Sequence, residues 1–411
     1  FRQDDAEVRA RTIDADLTTD ERGAVVAQTV SARGEVRFTR RSDRLRIEGE
    51  TLWANLDEQR LEVAGEGALV ERDGTRITGE EVRLDGTRRT ANSLGAGEFE
   101  HRTRNPGEPP TRTHAAWTAG MTFDDRTGIL EAMGNVVAVS EPDPLSRDTI
   151  RAERVRVELE PAPESEAVAL DSADPAAQSR SRRVLRMHAW AEQPEPDDDD
   201  APVPASVEST RSVEAGPNAS PRLARAFTLF GHEIIADHAA GTLDVPGAGR
   251  LMVADLQADA TGDGDNRGTA LFDWTGSFHV ERAKGEATMH GGVRMSHRRL
   301  ADSLRTDLEA GSITARIREA TTDEAGDLSG ELEYATAIGK VWVRSGRHEL
   351  TGHRLEYDAI AGTAEAFANE GGVITVVEAG RTSPVTAKRL FWNLVTDRIE
   401  VREPGAARAP R

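Results

Sequence analysis

The groups that could do chemistry are few. ADATGDGDNRG, residues 258–268, has the best metal-ligand spacing in the chain. Asp263, Asp265 and Gly268 imitate the start of a calcium loop. Arg267 stands where a third oxygen ligand belongs, and Trp274 where the bidentate glutamate belongs. A polar turn between strands fits these residues better. His232 and His238 flank one strand-turn unit, as do His348 and His353, but neither pair has a third ligand at metal spacing. The run Asp197-Asp198-Asp199-Asp200 reads as solvated linker rather than a metal-binding tract. No G-x-S-x-G, H-E-x-x-H or Walker-type loop is present. With 72 acidic residues, paired carboxylates are too common to signal a glycosidase. There is no cysteine, hence no thiolate ligand, nucleophile or disulfide. The sequence therefore predicts no catalytic residue, no metal and no cofactor.

Charge and composition narrow the remaining classes. The net charge is −20, so a nucleic-acid partner is not expected, because phosphate binding needs a cationic face. Only 37% of residues are hydrophobic and 4% aromatic, which suits a thin core rather than a thick globule. No apolar run is long enough to span a membrane as a helix. A signal peptide or anchor, if one exists, would precede Phe1.

The elements that must position any site come from a repeat. MTFDDRTGILEAMGNVVAV, residues 121–139, alternates apolar and polar residues around two polar breaks. It reads as three short strands joined by turns at 124–128 and at Gly134-Asn135. Measured from Thr118, the frame is Met121, Phe123, Asp124, Gly128, Leu130, Ala132, Gly134 and Val136. From Gly79 the same frame gives Val82, Leu84, Asp85 and Gly95, with Arg89 in the turn. From Gly231 it gives Ile234, Ala236, Asp237, Gly241, Leu243, Val245 and Gly247. From Thr275 it gives Phe278, Val280, Gly285, Ala287, Met289 and Gly291, and from Gly352 it gives Leu355, Tyr357, Asp358 and Gly362. Two copies carry Asn for Asp, one with Leu52, Ala54 and Asn55, the other with Leu390, Trp392 and Asn393. Apolar residues two apart share one face of a strand. Asp or Asn then suits a turn, and Gly supplies a left-handed position. Each copy is predicted as strand, turn, strand, turn, and copies must stack to bury their apolar faces.

An interruption separates two groups of copies. Residues 161–220 are rich in Pro, Ala, Ser and acids, and only VLRMHAW, 184–190, has strand character. The rest reads as a flexible insertion that cannot bury enough apolar area to order itself. The domain reading is thus a repeat segment at 1–160, the insertion at 161–220, a second repeat segment at 221–403 and a tail at 404–411. RRLADSLRTDLEAG is ambiguous, since Leu300, Leu304 and Leu308 are spaced as a helical stripe.

The pattern L-x-Y-D-x-x-x-G resembles the organic-solvent-tolerance, or lipopolysaccharide-transport A-like (OstA-like), repeats. MTFDDRTGILEAMGNVVAV and HRLEYDAIAGTAEAFANEGGVITV carry it best, and AKRLFWNLVTDRIEV looks like the membrane-anchored C-type relative. The resemblance covers most of 10–160 and 225–402. It implies an all-β fold, an elongated antiparallel β-jellyroll or β-taco with an apolar groove. It implies a non-enzymatic periplasmic protein of the cell envelope that passes the acyl chains of lipopolysaccharide between membranes, as part of outer-membrane biogenesis. It also implies partners of the same fold, or a second copy, joined by edge-strand addition at the terminal copies near Ala10 and Ala387.

The inward positions of the copies are the candidate groove lining: Leu52, Val82, Leu84, Met121, Phe123, Ile234, Phe278, Val280, Leu355, Tyr357, Leu390 and Trp392. The competing reading is that these fill an ordinary core, as in a structural or adhesive β-solenoid of the cell surface. A polysaccharide-processing β-helix enzyme is a third possibility, but it needs a convergent polar set that the copies lack. Small inward residues at Ala54, Ala132, Ala287, Ala364 and Ala366 leave room for a groove.

Overall fold

The computed structural model describes residues 2–3, 5–19, 23, 25–42, 44–72, 74–103, 111–160, 183–191, 203–214, 220–257, 267–319, 330–380 and 383–404. They form 29 strands and one 3-10 turn, with no α-helix among them. All the registered pairings are antiparallel, and the all-β expectation holds. The chain divides into two compact units, Phe1–Val207 and Glu208–Arg411. The division lies inside the segment expected to be a flexible insertion; besides the expected strand Val184–Trp190 that segment contains a second, Ala205–Val213. Alternation at Ala205, Val207 and Ser209 is weak, which is why the second strand is hard to read from sequence.

The repeat unit differs from the predicted one in one instructive way. The first turn is a tight hairpin, as expected. The second glycine is not a turn but a corner. Ile129–Asp143 is one strand, with its register shifted between Met133 and Val136. Before the shift it pairs with Gly120–Asp124, and after it with Thr111–Trp117. The same shift occurs in Arg60–Arg72 around Gly65, and in Glu286–Arg299 around Gly291. Elsewhere the chain breaks at the corner, as at Gly95 between Thr90–Leu94 and Gly97–Thr103. Bulges of this kind bend a strand sharply. Each crossing strand therefore belongs to two sheets, one on either side of the corner.

We call these the turn sheet, whose hairpins close through the Asp/Asn turns, and the loop sheet, whose hairpins close at the opposite ends. In unit 1 the core cluster joins Leu52, Val63 and Val82 of the turn sheet to Ile47, Ala68 and Val70 of the loop sheet, so the two sheets face each other. Gly134 shows why a corner needs glycine. Its φ is 84°, and a Cβ there would lie 2.6 Å from the backbone N of Ala119.

The tight turns share one chemistry. Asn55 Oδ1 accepts the Glu58 N–H at 3.0 Å, Asp85 Oδ1 that of Arg88 at 2.7 Å, and Asp124 Oδ1 that of Arg126 at 2.9 Å. Asp237 and Asp358 accept from Ala240 and Ala361, each at 2.8 Å, and Asn393 from Thr396 at 2.9 Å. The residue four beyond Asp or Asn is left-handed in every one of these turns. It is glycine at 128, 241 and 362, but Gln59, Arg89 and Asp397 adopt φ of 52°, 59° and 53° in the other copies. A non-glycine residue bears a steric cost there. At Arg89 the side chain gains a partner, since its Nε donates to Asp125 of the neighbouring turn at 2.7 Å.

The two units carry the same longer pattern. Gly79, Glu81, Asp85, Thr90, Gly95, Ala96 and Gly97 recur without a gap as Gly231, Glu233, Asp237, Thr242, Gly247, Ala248 and Gly249. Trp117, Thr118, Gly128, Gly134 and Val136 recur as Trp274, Thr275, Gly285, Gly291 and Val293. The pairings match as well: Thr111–Trp117 lies beside Gly97–Thr103 as Gly268–Trp274 lies beside Gly249–Asp255. The ambiguous leucines fall in this frame. Leu308 is inward on the strand Arg305–Glu319 and buried, whereas Leu300 sits exposed in the hairpin before it. Their four-residue spacing counts across a turn, not around a helix.

Candidate functional site

Cross-strand register sorts the inward side chains of the turn sheet into two rows. The floor row lies next to the corner. In unit 1 it runs Leu52, Val63, Val82, Ser93, Met121, Ala132 and Val155 through directly paired positions. In unit 2 it runs Val245, Phe278, Met289, Ile313, Ala337, Leu355, Ala366 and Leu390, with Ile234 on the adjoining strand. Every residue of this row is buried. The rim row is two residues further out, beside the tight turns. It runs Ala54, Leu61, Leu84, Ala91, Phe123, Leu130 and Val157 in unit 1. In unit 2 its members include Leu243, Val280, Ala287, Ala315, Ala335, Tyr357, Ala364 and Trp392.

Burial separates most of the two rows, with Ala54, Val280, Ala364 and Trp392 the buried exceptions on the rim. Leu61, Leu84, Ala91, Phe123, Leu130 and Val157 are only half-buried, although they are inward and apolar. So are Leu243, Ala287, Ala315, Ala335 and Tyr357. The loop sheet shows the same decline away from the corner: Val136 and Trp117 are buried, whereas Ala138 and Ala115 two residues out are half-buried. Most outward neighbours are polar, with Trp53, Ile235 and Phe391 as apolar exceptions. Arg83, between Val82 and Leu84, faces Glu62 at 3.4 Å. The interior is thus a dry floor at the corner with an apolar rim open to water.

All the predicted lining residues fall on these two rows. Leu52, Val82, Met121, Ile234, Phe278, Leu355 and Leu390 are floor; Leu84, Phe123, Val280, Tyr357 and Trp392 are rim. Within the rim, Leu84, Phe123 and Tyr357 are half-buried, while Val280 and Trp392 are buried. The small inward residues Ala54, Ala132, Ala364 and Ala366 are also buried, and Ala287 is half-buried.

One end is sealed. In unit 2 Trp392 is 1% exposed, and Ala364 beside it is also buried. Asp397, the left-handed residue of the last tight turn, reaches the loop sheet. Its Oδ1 lies 2.8 Å from Nδ1 of His348, the first residue of His348–Asp358. The Trp392 Nε1–H donates to the same oxygen at 3.3 Å, and the His348 and Trp392 rings meet edge-on at 5.6 Å. Beside them the Ser345 and Thr306 hydroxyls are bonded at 2.8 Å. This latch ties the last tight turn of the turn sheet to the loop-sheet end of His348–Asp358. Sequence reading missed it, because its members are 49 residues apart and only Asp in place of Gly marks the turn.

Among the described residues no group of three His, Asp or Glu comes together to hold a metal ion. His348 belongs to the latch and His353 is exposed. Asp263, Asp265 and the run 197–200 lie outside the described residues. No helix among the described residues is long and apolar enough to cross a membrane. Thr12–Thr19 and Arg398–Pro404 each pair on one side in the registers described, and both are mostly exposed. No family model matches the chain, and no curated protein matches it.

Proposed function

We propose that the protein binds the acyl chains of an amphipathic lipid in the apolar interior of its units, without enzymatic activity. The observation that supports this reading is the half-buried rim. An apolar side chain left partly in water by a surrounding sheet is unfavourable by about 25 cal/mol for each Å² still exposed. A row of them, continuous through paired strands, offers a chain-shaped apolar surface. Each methylene laid there gains about 0.8 kcal/mol, so one long chain holds without any charged contact. That suits a protein with a net charge of −20, which gives no attraction to an anionic head group.

The resemblance to the OstA-like repeats extends the proposal to lipopolysaccharide or a related glycolipid, carried across the periplasm as a transport bridge. The exposed edge strands Thr12–Thr19 and Arg398–Pro404 are where another β-jellyroll component or a second copy would add by strand pairing. A filled structural sandwich is the competing reading. It is favoured locally at the latch, where both rows are buried. Titration of the purified chain with a fluorescent long-chain acyl probe separates the two. Saturable binding, displaced by lipopolysaccharide and weakened by Phe123→Asp and Tyr357→Asp, is the expected result. No saturable binding would mean that the core is filled.

A further inference from the structure

The corner of unit 1 holds a hydrogen-bond donor with nothing to donate to. Trp117 is 3% exposed, and its Nε1–H makes no hydrogen bond to the described residues. The equivalent Trp274 of unit 2 is equally buried, yet its Nε1–H donates to the Gly247 carbonyl at 3.0 Å. Both indoles sit over a glycine: a Cβ on Gly97 would lie 2.9 Å from Trp117, and one on Gly249 would lie 2.4 Å from Trp274. The floor differs at the same place. Ser93, 1% exposed, stands in unit 1 where Val245 stands in unit 2. The Ser93 hydroxyl donates to the Thr78 carbonyl at 3.1 Å and keeps lone pairs to accept with. That carbonyl is 2.3 Å from the same notional Gly97 Cβ, so the serine, the carbonyl and the indole crowd one small region.

A buried donor without an acceptor is costly, and a native structure needs a reason to keep one. We propose that this corner is a polar anchor for the lipid, in which the Trp117 Nε1–H donates to an oxygen acceptor at the head of an acyl chain, an ester, amide or carboxyl oxygen. This rests on the acyl-binding reading of the interior and adds a fixed point to it. An otherwise apolar floor would let a chain slide. One donor sets where its carbonyl end lies. Unit 2, with Val245 and a satisfied Trp274, has no such point and holds hydrocarbon alone.

The test uses two fluorescent probes of equal chain length, one an acyl ester and one an alkyl chain without a carbonyl. Each is titrated into the full chain and into Trp117→Phe and Trp274→Phe. Phenylalanine keeps an aromatic ring and removes the N–H. The wild type should prefer the ester, and Trp117→Phe should lower ester affinity by roughly tenfold, the range of one hydrogen bond in a dry site. Alkyl affinity should stay the same, and Trp274→Phe should not change the preference. Equal affinity of the wild type for both probes would overturn the anchor while leaving the acyl-binding reading intact; the donor would then be satisfied by a buried water. Binding of neither probe would overturn both. Far-ultraviolet circular dichroism of the variants checks that a loss is not unfolding.

Discussion

The rim of unit 1 and the last rungs of unit 2 are built from the same repeat and end differently. In unit 1, Leu84, Ala91, Phe123 and Leu130 follow one another through paired positions of an inward row, and all are only half-buried. In unit 2, Ala364 and Trp392 occupy the same row and are buried. The floor beneath is equally dry in both. Thus the periodic apolar pattern makes the floor, and at the last rung of unit 2 one turn residue adds a polar tie over a buried rim. Where that residue is Gly, no side chain can reach out of the turn, and where it is Arg89 the side chain reaches only the neighbouring turn. Where it is Asp397, a carboxylate crosses to His348 and ties the sheets.

The largest effect should separate floor from rim. Ile234→Ala removes a fully buried floor side chain and is expected to cost about 2–5 kcal/mol, read by denaturant unfolding. Phe123→Ala on the rim should cost less than about 2 kcal/mol, because part of its area is already wet. Equal losses would mean that the rim is ordinary core. Next in size is the corner. Gly134→Val forces a branched residue into a left-handed position with backbone at 2.6 Å, and about 1–3 kcal/mol of strain should appear as a lowered Tm.

Asp397→Gly keeps the left-handed turn and deletes the latch. The His348 Nδ1 and Trp392 Nε1 lose their shared acceptor, at a cost of about 1–3 kcal/mol. Hydrogen exchange should rise around residues 345–351 and 389–399 and stay unchanged in unit 1. A uniform rise would mean that the latch supports the whole fold rather than one end.

The smallest effect is electrostatic. The Arg389 guanidinium, hydrogen-bonded to Glu365, holds its carboxyl below the usual carboxylate range, with Arg402 adding to the field. A depressed carboxyl stabilises the fold above its unfolded value and loses that contribution as pH falls through the folded one. The Glu365→Gln variant should therefore melt slightly below the wild type at neutral pH, by less than about 1 kcal/mol for this partly exposed pair. The gap should close on acidification below the ordinary carboxylate range. A gap that persists at low pH would assign the effect to packing over Phe367 instead.

Much of the turn sheet was legible in the sequence, because its signal is local. The apolar pair, the Asp or Asn and the left-handed residue all lie within one hairpin, so Met121, Phe123, Asp124 and Gly128 announce themselves together. The loop sheet was not legible in the same way. Its inward residues, such as Val36, Ile47 and Val70, adjoin a corner that looks like a turn in sequence, since glycine serves both. The distinction depends on whether the chain reverses, and only pairing at long range fixes that. The latch and the unpaired Trp117 were invisible for the same reason. A histidine, an aspartate and two indoles acquire their roles from partners that the corner brings within reach.

The most direct test of the acyl-binding interior is site-specific photo-crosslinking in cells that express the protein. A photoreactive residue is placed at Phe123 on the rim, at Leu355 on the floor, or at the outward Arg83. A lipid adduct at Phe123 and Leu355, and none at Arg83, is the predicted result, and mass spectrometry of the adduct would identify the lipid. No adduct at either inward position, in a chain that remains folded, would contradict the account and leave a filled structural sandwich in its place.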